Sequence, residues 1–121
     1  MLKDGNAMAT IAVKDLNVAR KFYEGQLGLQ PTGAEEPGMV TYQSANSVIM
    51  VYESQYAGTN KATAATWTVG DDIENLVQAL KARGVLFEHY DWPDTTRQGD
   101  IHVSGAITGA VVNLNCGAVV D

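Results

Sequence analysis

The sequence predicts an α+β protein that contains two β-α-β-β-β modules, and two observations support that fold class. Residues 10–13 have the pattern of a strand and precede an amphipathic segment, and residues 66–69 repeat this arrangement in the second half. Each amphipathic segment is followed by a glycine, Gly28 in the first half and Gly84 in the second. A repeat of about half the chain indicates two copies of one supersecondary unit. Because one helix cannot cover both faces of a sheet, the two modules are expected to pack, within one chain or across a dimer.

The first module begins with a predicted strand over residues 7–13, where alternation places Ile11 and Val13 on one buried face. Asp15 is the predicted N-cap of a helix over residues 15–27, whose apolar residues recur at helical spacing. Turn residues separate three further predicted strands, over residues 30–33, 39–43 and 47–53. The order strand, helix, strand, strand, strand completes the module.

The second module repeats this order. Residues 64–69 are predicted to form a strand, and the carboxylates of Asp71 and Asp72 are expected to cap the free amides of a helix over residues 72–83. The apolar residues of this helix follow the spacing i, i+3, i+4 and i+7: Ile73, Leu76, Val77 and Leu80. Three more strands are predicted, over residues 85–90, 100–104 and 110–115.

Composition limits the class of protein. A chain of 121 residues with 45% hydrophobic and 18% charged residues supports a single globular domain, with module one over residues 1–57 and module two over residues 62–121. No membrane association is expected, because the apolar stretches are far shorter than the roughly 20 residues that cross a bilayer. The N-terminus has no apolar signal segment, so a cytoplasmic protein is expected. The single cysteine, Cys116, excludes an intrachain disulfide.

The charge of the chain bears on its partners. The formal net charge is −6, and no cluster of Lys and Arg lies near aromatic residues. Nucleic acid is therefore not an expected partner, because phosphate binding needs a basic face. A neutral or cationic small molecule suits this charge better, and an acidic surface retained for solubility explains it equally well.

Five segments carry a family resemblance. The first three are residues 13–16 (Val-Lys-Asp-Leu), 19–23 (Ala-Arg-Lys-Phe-Tyr) and 27–29 (Leu-Gly-Leu), and the second half agrees at residues 69–73 and 80–85. In this order they resemble the signature of the vicinal oxygen chelate superfamily, which includes glyoxalase I, bleomycin-resistance proteins, fosfomycin-resistance enzymes and extradiol dioxygenases. The resemblance implies a curved mixed sheet around a ligand cavity and a homodimer. Fold membership does not choose among the activities of the superfamily.

Four positions distinguish the metal-dependent members, whose ligands come from the first and last strands of each half. The resemblance places these positions at Met8, Met50, Ala64 and Asn113. A shift of register by one residue at Ala64 supplies no histidine. Because hard or borderline divalent ions need carboxylate or imidazole donors, a thioether or a neutral amide is a poor substitute. We therefore expect no metal site and no cofactor.

The two histidines of the chain offer other chemistry. His89 and His102 lie outside the ligand positions of the superfamily, and Glu88 and Asp100 flank them, so a metal or acid/base site built from these groups is one alternative. The spacing of Asp100, His102 and Ser104 also suggests a catalytic triad along one strand face. Exposed histidines without a catalytic role are the favoured interpretation. No catalytic residue is predicted.

Without a metal, the cavity is predicted to hold a flat apolar ligand, and aromatic antibiotics are among the candidates. Methionine adapts to irregular aromatic surfaces and contacts ring edges through its sulfur atom, whereas tyrosine and tryptophan add stacking walls. The expected ligand-binding residues are Met8, Thr10, Tyr42, Met50, Tyr52, Trp67, Tyr90, Trp92 and Asn113. The alternative for the two methionines is that they fill a closed core.

Three classes of function remain open. The first, which resembles the bleomycin-resistance branch, is a metal-independent protein that sequesters an antibiotic or aromatic natural product. The second is a metal-dependent lyase, isomerase or thiol transferase of the glyoxalase or fosfomycin-resistance type. The third is a metal-free enzyme or a regulatory subunit. Residues 105–109, which are expected to form the turn before the last strand, depart from the Asp-Pro-Asp-Gly-Asn-like turn of many members. This departure weakens the analogy with the enzymatic branches.

Overall fold

The structure is a computed structural model that describes residues 2–33, 36–59, 64–89, 95–104, 107–112 and 114. The chain divides into two compact units, which are Met1–Thr66 together with Leu114–Asp121, and Trp67–Asn113. Both units combine strands with helical segments, so the predicted α+β class is confirmed. The predicted single domain, with its modules over residues 1–57 and 62–121, stays a prediction.

The first unit contains the predicted β-α-β-β-β order. After a 3₁₀ turn at Leu2–Asp4, its elements are β1 (Ala9–Val13), α1 (Leu16–Arg20), a π-helical segment (Lys21–Gln26), β2 (Gln30–Pro31), β3 (Met39–Ser44) and β4 (Ser47–Glu53). The four strands form one mixed sheet in the order β1-β4-β3-β2. Strand β1 runs parallel to β4, and the other neighbours are antiparallel. The bounds of β4 agree with the prediction.

One face of this sheet packs against the helix and forms the core. Its buried strand residues are Ile11, Val13, Val40, Tyr42, Ile49 and Val51. From the helical segment, Ala19 and Tyr23 are buried against them. The predicted burial of Ile11 and Val13 is therefore confirmed. Burying each large apolar side chain stabilises the fold by about 1.5–3 kcal/mol, so this face carries much of the stability of the first unit.

Helix α1 begins at the predicted N-cap. The side-chain oxygen of Asp15 accepts hydrogen bonds from the amides of Asn17 at 2.9 Å and Val18 at 3.2 Å. The amide of Leu16 donates to Oε1 of Glu53 at 3.0 Å. Three amides at the start of the helix thus donate to side-chain oxygens. These oxygens replace the carbonyl acceptors that the first turn of a helix lacks.

Replacing Asp15 with alanine should lower the free energy of unfolding by about 1 kcal/mol, because two amides lose their acceptor. Urea unfolding of the variant and the parent protein measures the loss. Asp15→Ser is the matched control, since its hydroxyl retains a capping acceptor and should restore most of the stability. Equal losses in the two variants would contradict the capping role.

Both helical segments end at the predicted glycines. Gly28 has φ 76° and Gly84 has φ 87°, a left-handed conformation that residues with a Cβ atom seldom adopt. Beyond the first, the amide of Leu29 donates to the carbonyl of Tyr23 at 3.0 Å, and beyond the second, the amide of Val85 donates to the carbonyl of Leu80 at 3.1 Å. The first of these hydrogen bonds joins residues that are six positions apart, and the second joins residues that are five positions apart. Each one satisfies a carbonyl group at the end of a helix.

The first helix differs from the prediction in its winding. A continuous α-helix was expected, whereas residues 21–26 are π-helical, and the amide of Leu27 donates to the carbonyl of Phe22 at 2.9 Å. A π turn adds one residue to the hydrogen-bonded ring and usually occurs as a single-turn bulge within an α-helix. The spacing of apolar residues therefore predicts the helix but not its winding.

The second unit contains a helix and short strands. Its elements are a 3₁₀ turn (Gly70–Asp72), α2 (Ile73–Ala82), β5 (Phe87–Glu88), β6 (Thr96–Gln98), β7 (Ile101–Ser104), β8 (Ile107–Gly109) and β9 (Val111–Val112). These strands form two antiparallel sheets, one of β5 and β9 and one in the order β6-β7-β8. Val77 of α2 is buried, which confirms that the predicted apolar side of this helix packs inward. None of the helices in the described part of the chain is long and apolar enough to cross a membrane.

Three predictions for the second half are wrong. Residues 64–69 form no strand, and Thr66 and Thr68 are exposed there. Strand preference of such residues reflects packing on a neighbouring strand, and no strand pairing involves this stretch among the described residues. Residues 107–109 are not part of a turn but form β8, which pairs with β7. Asp72 occupies the N-cap position of α2, but its side chain makes no capping hydrogen bond.

Candidate ligand-binding face

The face of the first sheet that points away from α1 is the candidate site. Strand residues alternate between the two faces, so those between the buried residues of β1, β3 and β4 share this second face. We call it the open face and define it by Met8, Thr10, Ala12, Met39, Thr41, Gln43, Val48, Met50 and Tyr52, where Met8 lies one residue before β1. None of these nine residues falls in the buried class.

Strand register arranges the open face in rows. Thr10 is paired with Met50 across β1 and β4, and Met50 is paired with Thr41 across β4 and β3. The neighbouring row consists of Ala12, Tyr52 and Met39 in the same order. Met50 therefore lies at the centre of the face, with a threonine on each side.

Four of the residues predicted from sequence lie together on this face: Met8, Thr10, Met50 and Tyr52. Met8 is 41% exposed, and Met50 and Tyr52 are half-buried. By contrast, Val13 and Val51 on the opposite face are 0% exposed. A closed core would bury both methionines, whereas neither Met8 nor Met50 is fully buried.

Tyr42 lies on the opposite face of the sheet. Its ring is fully buried and stacks on Tyr23, with 5.6 Å between ring centroids and 17° between planes. Its hydroxyl donates to Oε2 of Glu24 at 2.8 Å. That carboxylate is also paired with Arg20 at 3.2 Å. Tyr42 is thus a core residue whose hydroxyl already has a partner, and it does not lie on the open face.

Trp67, another predicted ligand-binding residue, is not part of the first sheet. Trp67 begins the second unit and is 39% exposed. Tyr90, Trp92 and Asn113 lie outside the described residues. Their contacts with a ligand stay predictions.

Sequence reasoning missed Met39, Thr41 and Gln43, although a signal for them exists. A two-residue turn at Ala45 and Asn46 joins β3 to β4, and Ser44 is paired with Ser47. Counting outward from a hairpin turn of known length fixes the register of both strands. The same count pairs Thr41 with Met50 and would have placed all three missed residues on the open face.

A second cluster of polar side chains lies within the second unit. Asp100 accepts a hydrogen bond from His89 through Oδ1 and pairs with Lys81 through Oδ2 at 2.8 Å. The rings of His89 and His102 are 6.2 Å apart between centroids, and His102 is buried. The expectation that both histidines are exposed is therefore wrong for His102. In the triad interpretation Asp100 would orient His102, whereas its carboxylate contacts Lys81 and His89. The side chain of Ser104 lies outside the described part of the structure.

These contacts make the stability of the second unit depend on pH. Two hydrogen bonds hold the pKa of Asp100 below its ordinary value of 3.8; the one from Lys81 has the larger effect and the one from His89 the smaller. A carboxyl group with a lowered pKa in the folded state stabilises the fold above its unfolded pKa, and that contribution is lost as pH falls through the folded pKa. We expect Asp100→Asn to reduce the free energy of unfolding near pH 7 and to match the parent protein at strongly acidic pH. Unfolding curves between these limits measure the difference, and a difference that does not change with pH would contradict the account.

A small cavity also lies in the second unit, beside α2. Its volume is about 280 Å³, and its lining residues are Glu74, Asn75, Gln78, Gln98 and Ile101. Ligand sites for drug-sized molecules are usually about 300–1,000 Å³ and mostly apolar. This cavity is smaller and mostly polar, so the open face is the better candidate for an apolar ligand.

Comparison with known proteins establishes the family. A family model described as the Glyoxalase/Bleomycin resistance protein/Dioxygenase superfamily matches residues 6–105. The chain belongs to this superfamily. Among curated proteins, none matches the chain significantly.

Solved structures of the glyoxalase superfamily share the fold at low sequence identity. A glyoxalase/bleomycin resistance protein/dioxygenase from Alicyclobacillus acidocaldarius is 16% identical with a TM-score of 0.57, covering 90% of this chain and 92% of that one. The fosfomycin resistance protein of Listeria monocytogenes is 17% identical with a TM-score of 0.56, covering 91% of both chains. Lactoylglutathione lyase from Agrobacterium tumefaciens is 16% identical with a TM-score of 0.52, covering 74% of this chain and 78% of that one. At these identities the similarity shows the fold alone.

The residues at the expected metal positions of the superfamily do not fit a hard or borderline divalent ion. Met8 and Met50 present thioethers on the open face, Ala64 has no donor, and Asn113 lies outside the described residues. Thioethers suit soft ions such as Cu(I), whereas Mg²⁺, Mn²⁺ and Zn²⁺ are held mainly by oxygen, nitrogen or thiolate ligands. Among the residues that the structure describes, no group of three or more His, Cys, Asp and Glu side chains is placed to hold a metal ion. The expectation of a metal-independent protein stays a prediction.

Proposed function

We propose that this chain is a metal-independent small-molecule binding protein that sequesters an aromatic natural product or antibiotic on its open face. The observation that carries the proposal is the pair Met8 and Met50, which put thioethers where metal-dependent members of the superfamily are expected to hold ligands. The chemistry of the face and the charge of the chain give further support.

The side chains of the open face suit a flat apolar ligand. Met50 lies at the centre of three strands, and methionine adapts its shape to aromatic rings and contacts their edges through sulfur. Tyr52 is half-buried beside it and offers an aromatic surface for stacking. A ligand that covers these side chains removes apolar surface from water, which favours binding by about 25 cal/mol per Å² of apolar area.

The same face offers little for chemical catalysis. Its nine residues contain no carboxylate, imidazole, ammonium group or thiol. Their hydroxyl groups on Thr10, Thr41 and Tyr52 are weak nucleophiles unless an adjacent base activates them. Sequestration requires affinity without a reactive group, so this composition favours binding over turnover.

The negative charge of the chain limits which ligands are expected to bind. A formal net charge of −6 repels anionic molecules at low ionic strength and attracts cations. We therefore expect neutral or cationic aromatic ligands to bind more tightly than anionic analogues of the same shape. Resistance to an antibiotic by sequestration is consistent with this expectation.

Equilibrium dialysis of the full chain against neutral, cationic and anionic planar aromatic compounds tests the proposal. The expected result is saturable binding of neutral or cationic compounds, with each compound recovered unchanged as judged by mass spectrometry. Chemical conversion of a bound compound would overturn the proposal. Conversion that needs added Zn²⁺, Ni²⁺, Mn²⁺ or Fe²⁺ would support the alternative, a metal-dependent lyase, isomerase or thiol transferase of the glyoxalase type.

We also propose that the chain acts as a homodimer with two equivalent sites, as the family resemblance implies. Light scattering coupled to size-exclusion chromatography would measure a mass twice the 12.9 kDa of one chain. A mass of one chain across the working concentration range would exclude the dimer without affecting the proposed ligand-binding face.

A further inference from the structure

Threonine hydroxyls flank the centre of the open face in one row. The register pairs Thr10 with Met50 and Met50 with Thr41, so the three residues lie side by side on neighbouring strands. The other rows differ, since the next one presents Ala12, Tyr52 and Met39. Hydroxyl groups on both sides of a central thioether therefore occur only in the first of these two rows.

The spacing of the strands fixes how far apart these hydroxyl groups lie. Adjacent strands are separated by about 4.8 Å, so the Cα atoms of Thr10 and Thr41 lie about 10 Å apart across Met50. Rotation about χ1 lets each hydroxyl lean toward or away from the centre. The pair can therefore reach opposite edges of a ring system that lies flat over Met50.

Thr41 is held in place by a neighbour. Its Oγ1 shares a hydrogen bond with Oγ1 of Thr32, and the amide of Thr32 donates to the carbonyl of Thr41 at 3.0 Å. A hydroxyl has one proton to donate and two lone pairs to accept with, so one hydrogen bond to Thr32 in either direction leaves Thr41 a further hydrogen-bonding site. The Thr32 contact therefore restricts the orientation of the Thr41 hydroxyl and leaves it able to bind a ligand. Thr10 is exposed on the other side of the row.

We infer that Thr10 and Thr41 select fused-ring aromatic ligands that carry hydrogen-bonding groups on opposite edges. This inference rests on the proposed function and adds the class of ligand and the residues that determine specificity. Met50 packs against the face of the rings, and the two hydroxyls form hydrogen bonds with the polar groups at the two edges. Because buried polar groups without a partner are costly, a ligand that lacks either edge group should bind more weakly than one that has both.

A cycle of ligands and variants tests the inference. The ligands are 2,6-dihydroxynaphthalene, 2-naphthol and naphthalene, and the variants are Thr10→Val and Thr41→Val, which preserve side-chain shape. Each variant should weaken binding of 2,6-dihydroxynaphthalene by about 3- to 10-fold, the size of one hydrogen bond, and should leave naphthalene binding unchanged. Thr32→Val should have a smaller effect through the loss of orientation at Thr41. Thr68→Val, an exposed threonine of the second unit, is the matched control.

The outcomes separate this inference from the proposal on which it rests. Equal affinity for the three compounds, or variants that weaken all three compounds equally, would overturn the role of the two threonines. The open face could still be an apolar binding surface in that case. Failure of all three compounds and of the wider aromatic panel to bind would instead contradict the proposed function.

Discussion

Replacing Tyr23 with alanine is expected to lower the free energy of unfolding by about 3–5 kcal/mol, the usual range for removing a large buried aromatic side chain. Tyr23 is 0% exposed at the point where the helical segment meets the sheet. Its ring stacks on Tyr42 and meets the edge of Phe22 at 5.2 Å between centroids. Its hydroxyl donates to the carbonyl oxygen of Leu114 at 2.7 Å, so one side chain connects the helix, the sheet and Leu114.

Urea unfolding followed by circular dichroism measures this loss, and two controls separate its causes. Tyr23→Phe keeps the ring and removes the hydrogen bond, so it should cost about 1–3 kcal/mol because the carbonyl of Leu114 loses its partner. Tyr56→Ala removes a tyrosine that is 71% exposed and should change stability by less than about 0.5 kcal/mol. A Tyr23→Ala variant as stable as Tyr56→Ala would contradict the description of the core.

Replacing Met50 with lysine is expected to weaken binding of a planar aromatic ligand by at least about 100-fold, which corresponds to about 2.7 kcal/mol. Met50 is half-buried at the centre of the open face, between strands β1 and β3. A ligand lying on the variant would have to desolvate an ammonium group without supplying a partner for it, and desolvation of an unpaired charge is very unfavourable. A cationic ligand would also be repelled by the new charge.

Two matched variants distinguish this effect from a loss of fold. Met50→Leu keeps an apolar side chain of similar volume and should retain affinity within a few-fold. Val18→Lys adds the same charge at an exposed position of α1 and should leave binding unchanged. Equilibrium dialysis of the three proteins with one ligand gives the comparison, and circular dichroism verifies that each is folded. Equal affinity of Met50→Lys and Val18→Lys would place the ligand somewhere other than the open face.

The first half of the fold was predictable because local signals agree with its tertiary packing. Asp15, Gly28 and the alternation around Ile11 each specify one feature of β1 or α1, and the structure contains all three features. The π-helical winding of residues 21–26 was not predictable, since π turns occur as short bulges within α-helices and the apolar spacing indicated only a helix.

The second half was less predictable because short strands depend on their partners. Residues 64–69 have the composition of a strand but form none, whereas the residues of β8 were assigned to a turn because the family resemblance places a turn before the last strand. Strands of two to four residues carry little alternation, and their pairing is decided by neighbours distant in sequence. The sequence predicted strands that contain β5, β7 and β9, with inexact bounds, and missed β6 and β8.

The candidate site was predictable where alternation alone determines the face. Met8, Thr10, Met50 and Tyr52 were placed together from the period of two. Tyr42 was not correctly assigned to a face, because β3 carries apolar residues on both of its sides and its core face follows only from the register with β4.

Titration calorimetry of the full chain with a planar aromatic ligand, in the presence of EDTA and again with added Zn²⁺ or Mn²⁺, tests the central claim most directly. Saturable binding with the same dissociation constant is expected in all three conditions, because the open face presents thioethers and hydroxyls instead of ligands for these ions. Binding that disappears in EDTA and returns with Zn²⁺ or Mn²⁺ would contradict this claim.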